Sequence, residues 1–237
     1  KDWASYVMTN RMAQTTENVY GILDDLAPKA VAKAEAEAEQ IQQVIKKSGE
    51  TFALQPWDWA FYAEKVRQEK YDLDPALVKP YFEMQSVIHD GLFFAMNKLY
   101  GITFKERKDL PVYHEDVMVF EVFNEDGSAI GLFYMDPYAR EGKRGGAWMS
   151  AYVSQSGLKD TMPVIYNAQN IPKPAEGQPT LMTFSEVTTM FHEFGHAAHG
   201  LFSNVKYPSL AGTATARDFV EFPSQANEDW NIEPTVL

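Results

Sequence analysis

The stretch Phe191-His192-Glu193-Phe194-Gly195-His196-Ala197-Ala198-His199 contains the pattern His-Glu-x-x-His, around which the rest of the chain can be interpreted. Two residues four apart on a helix are separated by about 40° around the axis and about 6 Å along it, so both imidazoles project from the same face and can reach one ion. Imidazole nitrogens suit zinc, whose catalytic sites have three protein ligands and one open position. The spacing therefore predicts that His192 and His196 bind one zinc ion per chain.

Glu193 follows His192 directly and can reach a water molecule at the open position of such a site. A carboxylate placed there can act as general base, taking a proton from the water and passing it to the leaving amine. The residue types and their spacing together predict peptide hydrolysis. The alternative is a helix that merely carries polar residues. An apolar stripe argues against this alternative, because it indicates a helix packed inside the domain. Histidines buried on such a helix need partners. The stripe consists of Val187, Met190, Phe191 and Phe194.

The third ligand has several candidates. His199 lies seven residues after His192, about 10.5 Å away along a straight helix, which is too far for one ion to bind both easily. Downstream acids remain, namely Asp218, Glu221, Glu228 and Asp229. Glu221 is favoured because its apolar neighbours indicate an inward-facing acid, although Asp218-x-x-Glu221 also has capping-box spacing. Glu228 competes as a ligand and is the better candidate for the partner of a ligating histidine.

Composition excludes several classes of function. The chain has 21 basic and 33 acidic residues, a net charge of -12, so nucleic acid and anionic membranes are not expected partners. It has no cysteine, which excludes disulfides, thiolate zinc sites and a cysteine nucleophile. It has no run of eighteen apolar residues. Because it begins without Met or a signal-peptide core, we expect it to be part of a longer protein.

Periodicity divides the chain into three predicted parts of one incomplete catalytic domain: residues 1–109 helical, 110–170 a small sheet, and 171–237 the zinc-site helices. In the first part, Pro28 fits the first position of a second helix that follows a helix ending near Leu26. Thr183 or Ser185 is expected to cap the zinc-binding helix.

The predicted sheet contains a hairpin and two further strands. Val117 to Phe123 and Ala129 to Met135 flank a turn, and residues 145–153 and 163–167 are also strand-like. The fold class is therefore predicted as mainly α with a small, mostly antiparallel sheet, an α+β arrangement.

Gly145, Gly146 and Ala147 stand at the start of one predicted strand, where small residues leave the backbone uncovered. A peptide substrate could bind there as an added strand. A bulge or a tight bend explains the two glycines equally well.

The chain resembles the thimet oligopeptidase and peptidyl-dipeptidase family of zinc metallopeptidases. Within that family it is most similar to the bacterial peptidyl-dipeptidase branch. The resemblance covers most of the chain from about Thr51 onward. Its matching stretches are Gln55-Pro56-Trp57-Asp58-Trp59, Val112-Tyr113-His114, Gly145-Gly146-Ala147-Trp148, Pro163-Val164-Ile165-Tyr166-Asn167, Phe191 to Gly200, Gly212-Thr213, and Asp218-Phe219-Val220-Glu221-Phe222-Pro223-Ser224-Gln225.

The resemblance implies His192, His196 and Glu221 as zinc ligands and Glu193 as catalytic base. It also implies part of a two-lobed, largely helical, zincin-like peptidase whose channel admits short peptides and excludes folded proteins. Peptidyl-dipeptidases of this kind release dipeptides from C-termini, whereas the oligopeptidase branch cuts internally. A monomeric full-length form in the cytoplasm is the corresponding expectation.

One departure from the family pattern lies beyond Leu237. In the family, a Tyr and a His that stabilise the oxyanion follow well after the second zinc-ligand helix, and this chain ends first. Loss of such donors predicts a rate about 100- to 1000-fold lower even if zinc binds. A zinc-stabilised peptide-binding fragment without useful catalysis is therefore the alternative; a purely structural zinc is less favoured, because it leaves Glu193 without a role and such sites take four protein ligands.

Overall fold

The structure is a computed structural model that describes residues 2–71 and 75–236. The chain forms two compact units, Lys1–Val78 and Lys79–Leu237. No helix of the described residues is long and apolar enough to span a membrane.

The first unit is helical. It contains α1 (Trp3–Met8), α2 (Thr16–Lys47), a 3-10 turn at Pro56–Asp58, α3 (Trp59–Tyr71) and α4 (Pro75–Val78). Its small core joins one face of α2 to α3 through Ile41, Val44, Ile45 and Tyr62, which are all buried. The pair Asp74-Pro75 is typical of a helix start in the sequence. Asp74 lies outside the described residues.

Pro28 does not begin a helix, so that prediction was wrong. Helix α2 begins after Thr15, whose side chain accepts a hydrogen bond from the backbone N–H of Asn18, and it continues through Pro28. Proline removes one helical hydrogen bond, here the bond to the carbonyl of Asp24. Because residues 21–30 are all exposed, water can replace the missing donor, and the helix continues.

The second unit begins with a nearly continuous helical run and continues into the sheet. The run comprises a 3-10 turn at Lys79–Tyr81, α5 (Met84–Ser86), a π-helical segment at Val87–Phe93, and α6 (Phe94–Tyr100). Gly101 ends it with a φ of 72°, a left-handed conformation that favours glycine. The strands are β1 (Thr103–Glu106), β2 (Met118–Phe123), β3 (Ala129–Tyr138), β4 (Trp148–Val153) and β5 (Val164–Ile171).

The five strands form one sheet in the order β1-β2-β3-β5-β4. Three neighbouring pairs are antiparallel, and only β3 and β5 are parallel. The predicted hairpin is β2 and β3, so the expectation of an α+β fold with a mostly antiparallel sheet is confirmed.

The sheet begins earlier than the boundary predicted at residue 110. Strand β1 starts at Thr103, and three of its four residues are exposed, so its sequence lacks the alternation that marks a half-buried strand. Its backbone pairs with β2 through partners such as Thr103 and Phe123. The strand therefore exists because of its neighbour, which a local pattern does not reveal.

Two more helices complete the second unit, α7 (Phe184–Leu201) and α8 (Glu221–Glu228). Short 3-10 turns at Pro208–Leu210 and Asp229–Ile232 accompany them. Helix α7 packs on the sheet, where the ring of Phe194 meets that of Phe133 at 5.1 Å between centroids. Both rings are fully buried, so α7 has one face in the core of the second unit.

Thr183 is the residue that caps α7. Its hydroxyl accepts a bond from the N–H of Glu186, whose carboxylate accepts the N–H of Thr183 in return. Thr183→Ala should therefore lower the free energy of unfolding by about 1 kcal/mol in a denaturant titration. Ser185→Ala is the matched control, since that exposed serine makes no cap, and its effect should stay within about 0.5 kcal/mol. Equal losses for the two variants would contradict this assignment of the cap.

Candidate metal centre

The His-Glu-x-x-His pattern lies in the middle of α7, which the core holds in place. Phe191 and Phe194 are buried on its apolar face. The two imidazoles of His192 and His196 lie with their ring centroids 4.9 Å apart and their planes at 85°. Helix α8 runs beside them and begins at Glu221. Helical spacing aligns the two histidines, and the packing of α8 on α7 places the Glu221 carboxylate beside them.

Three side chains converge here. Oε2 of Glu221 lies 3.2 Å from Nε2 of His192 and 3.0 Å from Nε2 of His196. Their ligand atoms all lie within 4.8 Å of one another, and this is the one such group of three among the residues that the structure describes. The edges of a tetrahedron around zinc with bonds of 2.0–2.1 Å measure roughly 3.3 Å, so these separations fit a metal site.

The chemistry of the three groups also fits a metal ion. His196 is buried, and burial lowers the pKa of its imidazole, an effect that the Glu221 carboxylate opposes. A neutral imidazole keeps a lone pair for a metal ion. An imidazole–carboxylate ion pair is the alternative explanation of the short distances, and burial of His196 opposes it because burial disfavours the charged ring. The group could therefore hold a metal ion.

Glu193 lies beside this group. Its side chain is buried, and Oε2 has no hydrogen-bond partner among the described residues. Burial raises the pKa of the Glu193 carboxyl to about 7, while nearby His192 opposes the rise and the Glu221 carboxylate adds to it. A buried carboxyl with an unused oxygen is costly to stability, and such groups cluster at functional sites. A carboxyl in this place could act as general base for a water at the site.

The raised pKa of Glu193 predicts a stability that depends on pH. In the metal-free chain the folded state holds this proton more tightly than the unfolded state, whose glutamate has a pKa near 4.5. The resulting stabilisation is complete below about pH 4.5 and is lost as the pH rises towards about 7. Glu193→Gln cannot ionise, so the variant should gain on the order of 3 kcal/mol relative to the unchanged chain across this window.

Denaturant titrations of both proteins with a chelator present, at several values from pH 4.5 to 8, measure this difference. Other titrating groups are common to both proteins, so the pH-dependent difference reports Glu193 together with its coupling to His192 and Glu221. A difference that does not vary with pH would contradict the raised pKa.

Glu228 and His199 take different places around the group. Oε1 of Glu228 lies 2.6 Å from Nδ1 of His192. A proton on Nδ1 would be donated to this carboxylate, which would leave the Nε2 lone pair of His192 for a metal ion. His199 is outside the group of three, and its buried Nδ1 has no partner among the described residues. The capping box considered for Asp218 and Glu221 does not form, since Val220 is the residue at the N-cap position and no side chain caps the helix.

The residues Gly145, Gly146 and Ala147 lie just before β4, which starts at Trp148 and not at residue 145 as predicted. Gly146 has a φ of +85°, so a bend requires glycine there. A Cβ added at either glycine would meet no atom within 4 Å, and both are exposed. Among the described strands β4 pairs only with β5, so its other edge is open.

Sequence reasoning missed Ser224. Its side chain is fully buried, and its hydroxyl lies 2.9 Å from Oε2 of Glu221, the oxygen that also faces both histidines. Its position three residues after Glu221 on α8 was the available signal, because residues at that spacing are neighbours on a helix.

Comparison with known proteins gives the family. The model for peptidase family M3 matches residues 1–237. The chain belongs to this family. It is 51% identical over 235 residues to the dipeptidyl carboxypeptidase of Escherichia coli (strain K12), covering 99% of this chain and 34% of that protein. It is 39% identical over 241 residues to oligopeptidase A of the same strain, covering 100% of this chain and 35% of that protein.

A more distant relative is the thimet-like oligopeptidase of Dictyostelium discoideum, 33% identical over 252 residues, which cover 100% of this chain and 37% of that protein. The resemblance found in the sequence is thus confirmed. The chain spans about a third of the length of the curated relatives it matches.

Proposed function

We propose that this chain carries the zinc centre of a metallopeptidase that hydrolyses short peptides. The supporting observation is the convergence of two α7 imidazoles and one α8 carboxylate beside the buried carboxyl of Glu193. Membership of peptidase family M3 supports peptide hydrolysis. His192, His196 and Glu221 would be the zinc ligands, with one ion per chain.

Each residue around the proposed zinc has a separate role. When bound, zinc supplies an activated water and polarises the substrate carbonyl. Glu193 accepts the proton of that water on its carboxylate and delivers it to the leaving amine. Glu228 holds the Nδ1 proton of His192, so that this ring keeps one orientation and one tautomer. The core around Phe194 holds α7 rigid beneath these groups.

The open edge of β4 is the proposed place for the substrate backbone. An extended peptide could pair there as an added strand, and Gly145, Gly146 and Ala147 would let it approach at the beginning of the strand. The high identity to a dipeptidyl carboxypeptidase supports release of dipeptides from C-termini. Internal cleavage is the alternative, supported by the relatives named as oligopeptidases.

The test combines metal analysis with hydrolysis. Zinc content is measured by mass spectrometry on the purified chain, and a short N-blocked peptide is incubated with it while its products are identified. One zinc per chain with C-terminal dipeptides released supports the proposal. Internal fragments would support the oligopeptidase alternative. Less than about a tenth of a zinc per chain after incubation with excess zinc would overturn the ligand assignment.

A second candidate is a zinc-stabilised peptide-binding fragment without useful catalysis. The observation that favours it is the open edge of β4 among the described strands, which could pair with a peptide whether or not the chain hydrolyses it. One zinc per chain, peptide affinity and no turnover would support this candidate over hydrolysis.

A further inference from the structure

The face of α8 that meets α7 carries buried polar residues. Ser224, Asn227 and Asn231 are 0%, 5% and 2% exposed, respectively. They lie three and four residues apart, so they share one side of α8 and of the 3-10 turn that continues it. The large buried side chains of the second unit are otherwise mostly apolar. A polar row inside such a core is costly unless each member is hydrogen-bonded.

Each of these side chains has a partner in the site or in α7. The amide of Asn227 donates to the backbone carbonyl of Phe191 at 2.6 Å. The amide of Asn231 donates to the hydroxyl of Thr188 at 2.9 Å. The two bonds are one helical turn apart, so they lock α8 to α7 at two points.

Ser224 makes the third bond, and it reaches the candidate metal ligand itself. Its hydroxyl lies 2.9 Å from both the backbone carbonyl and the carboxylate Oε2 of Glu221. The side chain of Glu221 is 53% exposed, so without a restraint it is free to adopt other rotamers. A bond from a fully buried hydroxyl holds the carboxylate against the imidazoles.

Gly195 determines how closely the two helices approach. A Cβ added there would lie 2.6 Å from Cα of Ser224, 2.8 Å from the carbonyl oxygen of Pro223 and 2.9 Å from Cβ of Asn227. Two of these three atoms belong to the backbone of α8, which cannot move aside as a flexible side chain can. Any larger residue at this position must push α8, and Glu221 with it, away from the histidines.

We propose that Gly195, Ser224, Asn227 and Asn231 form a positioning seam that holds the Glu221 carboxylate in place before metal binds. Directional bonds are satisfied at one register of α8 on α7, whereas purely apolar faces can slide. The seam touches no substrate, so its members are positioning residues. The inference rests on the proposed zinc site and adds the groups that preorganise it.

Substitutions in the seam should lower the affinity for zinc while the protein stays folded. Groups that orient metal ligands typically contribute 10- to 100-fold to affinity. Ser224→Ala and Asn227→Leu remove the bonds, and the leucine keeps the branching of the asparagine side chain at Cγ. Each should therefore weaken zinc binding about 10- to 100-fold. Gly195→Ala should weaken it at least as much, because the added methyl meets backbone.

Two variants are matched controls. Gly200→Ala makes the same change on the same helix, where the added Cβ would meet the side-chain ends of Ile165 and Met149 at 2.7 and 3.0 Å, which can shift. Thr180→Val removes a buried hydroxyl that bonds to Tyr138 at 2.7 Å, away from α8. Both should retain the zinc affinity of the unchanged chain within about threefold.

The experiment measures zinc affinity by competition with a chelator of known affinity, together with the thermal midpoint of each metal-free protein. The absorption spectrum of bound cobalt(II) adds a record of ligand geometry that a merely structural change would not alter. Weaker zinc binding and an altered cobalt spectrum in seam variants, at midpoints similar to those of the controls, support the seam. Unchanged affinity and spectra in Ser224→Ala and Asn227→Leu would overturn it. No zinc bound by the unchanged chain would overturn the proposed metal site and the seam together.

Discussion

Replacing Glu193 by Gln should leave the zinc content unchanged and lower kcat/KM for a short peptide by about 100- to 10,000-fold, the contribution typical of a general base. The substituted side chain would keep the size and burial of the original, but an amide cannot accept and return a proton. The carboxyl of Glu193 lies buried next to the ligand group with one oxygen unpartnered, so no other described role competes with that of a base. The measurement belongs in whichever form of the protein hydrolyses the peptide, this chain or a longer one that contains it.

Glu176→Gln is the control for this experiment, because Glu176 is an exposed acid on the connector that precedes α7. It makes the same chemical change and should leave kcat/KM unaltered. Turnover in Glu193→Gln within about threefold of the unchanged protein would refute the role of Glu193 as base. Loss of zinc from the same variant would show instead that Glu193 holds the site together.

Replacing Glu221 by Gln should abolish stoichiometric zinc binding. An amide is a far weaker zinc ligand than the carboxylate it replaces, and two imidazoles alone do not complete the three-ligand site. Removal of a direct ligand should exceed the 10- to 100-fold effect of an orienting group, so we expect affinity to fall by more than about 100-fold. The side chain is 53% exposed, so the substitution should leave the fold intact. Chelator competition and mass spectrometry of the purified variant measure the loss.

His199→Gln is the matched control for the ligand experiment. His199 lies on the same helix as His192 and His196, yet it stands outside the group of three. Its substitution should leave one zinc per chain. Retained zinc in Glu221→Gln together with lost zinc in His199→Gln would exchange the roles of these residues, and the geometric assignment would then be wrong.

Much of the fold followed from local patterns. The hairpin of β2 and β3 and the α7 helix were predictable because alternation and helical spacing are properties of consecutive residues. Elements that form because of a neighbouring strand or of solvent were not predictable from local patterns. Strand β1 lacks its own alternation and pairs because β2 is beside it. Helix α2 passes through Pro28 because that turn faces solvent.

The candidate site divides in the same way. His192, Glu193 and His196 share one helix, whose geometry brings both imidazoles together, so spacing alone predicted their proximity. Spacing favoured Glu221 over Glu228 and the family resemblance implied Glu221, but both acids lie on α8, and spacing along one helix says nothing about how it meets another. The structure brings Glu221 to Nε2 of both histidines and Glu228 to Nδ1 of His192.

The sequence by itself therefore determined the fold class, the family resemblance and the helical half of the candidate metal site, since these depend on the order of neighbouring residues. The family resemblance implied Glu221 for the third corner of the candidate site, but only the tertiary structure shows how its carboxylate reaches the two histidines. That approach depends on the close packing of α8 against Gly195 and on the buried bonds of Ser224 and Asn227. Contacts between residues about thirty positions apart arise from the packing of two helices, which no local pattern encodes.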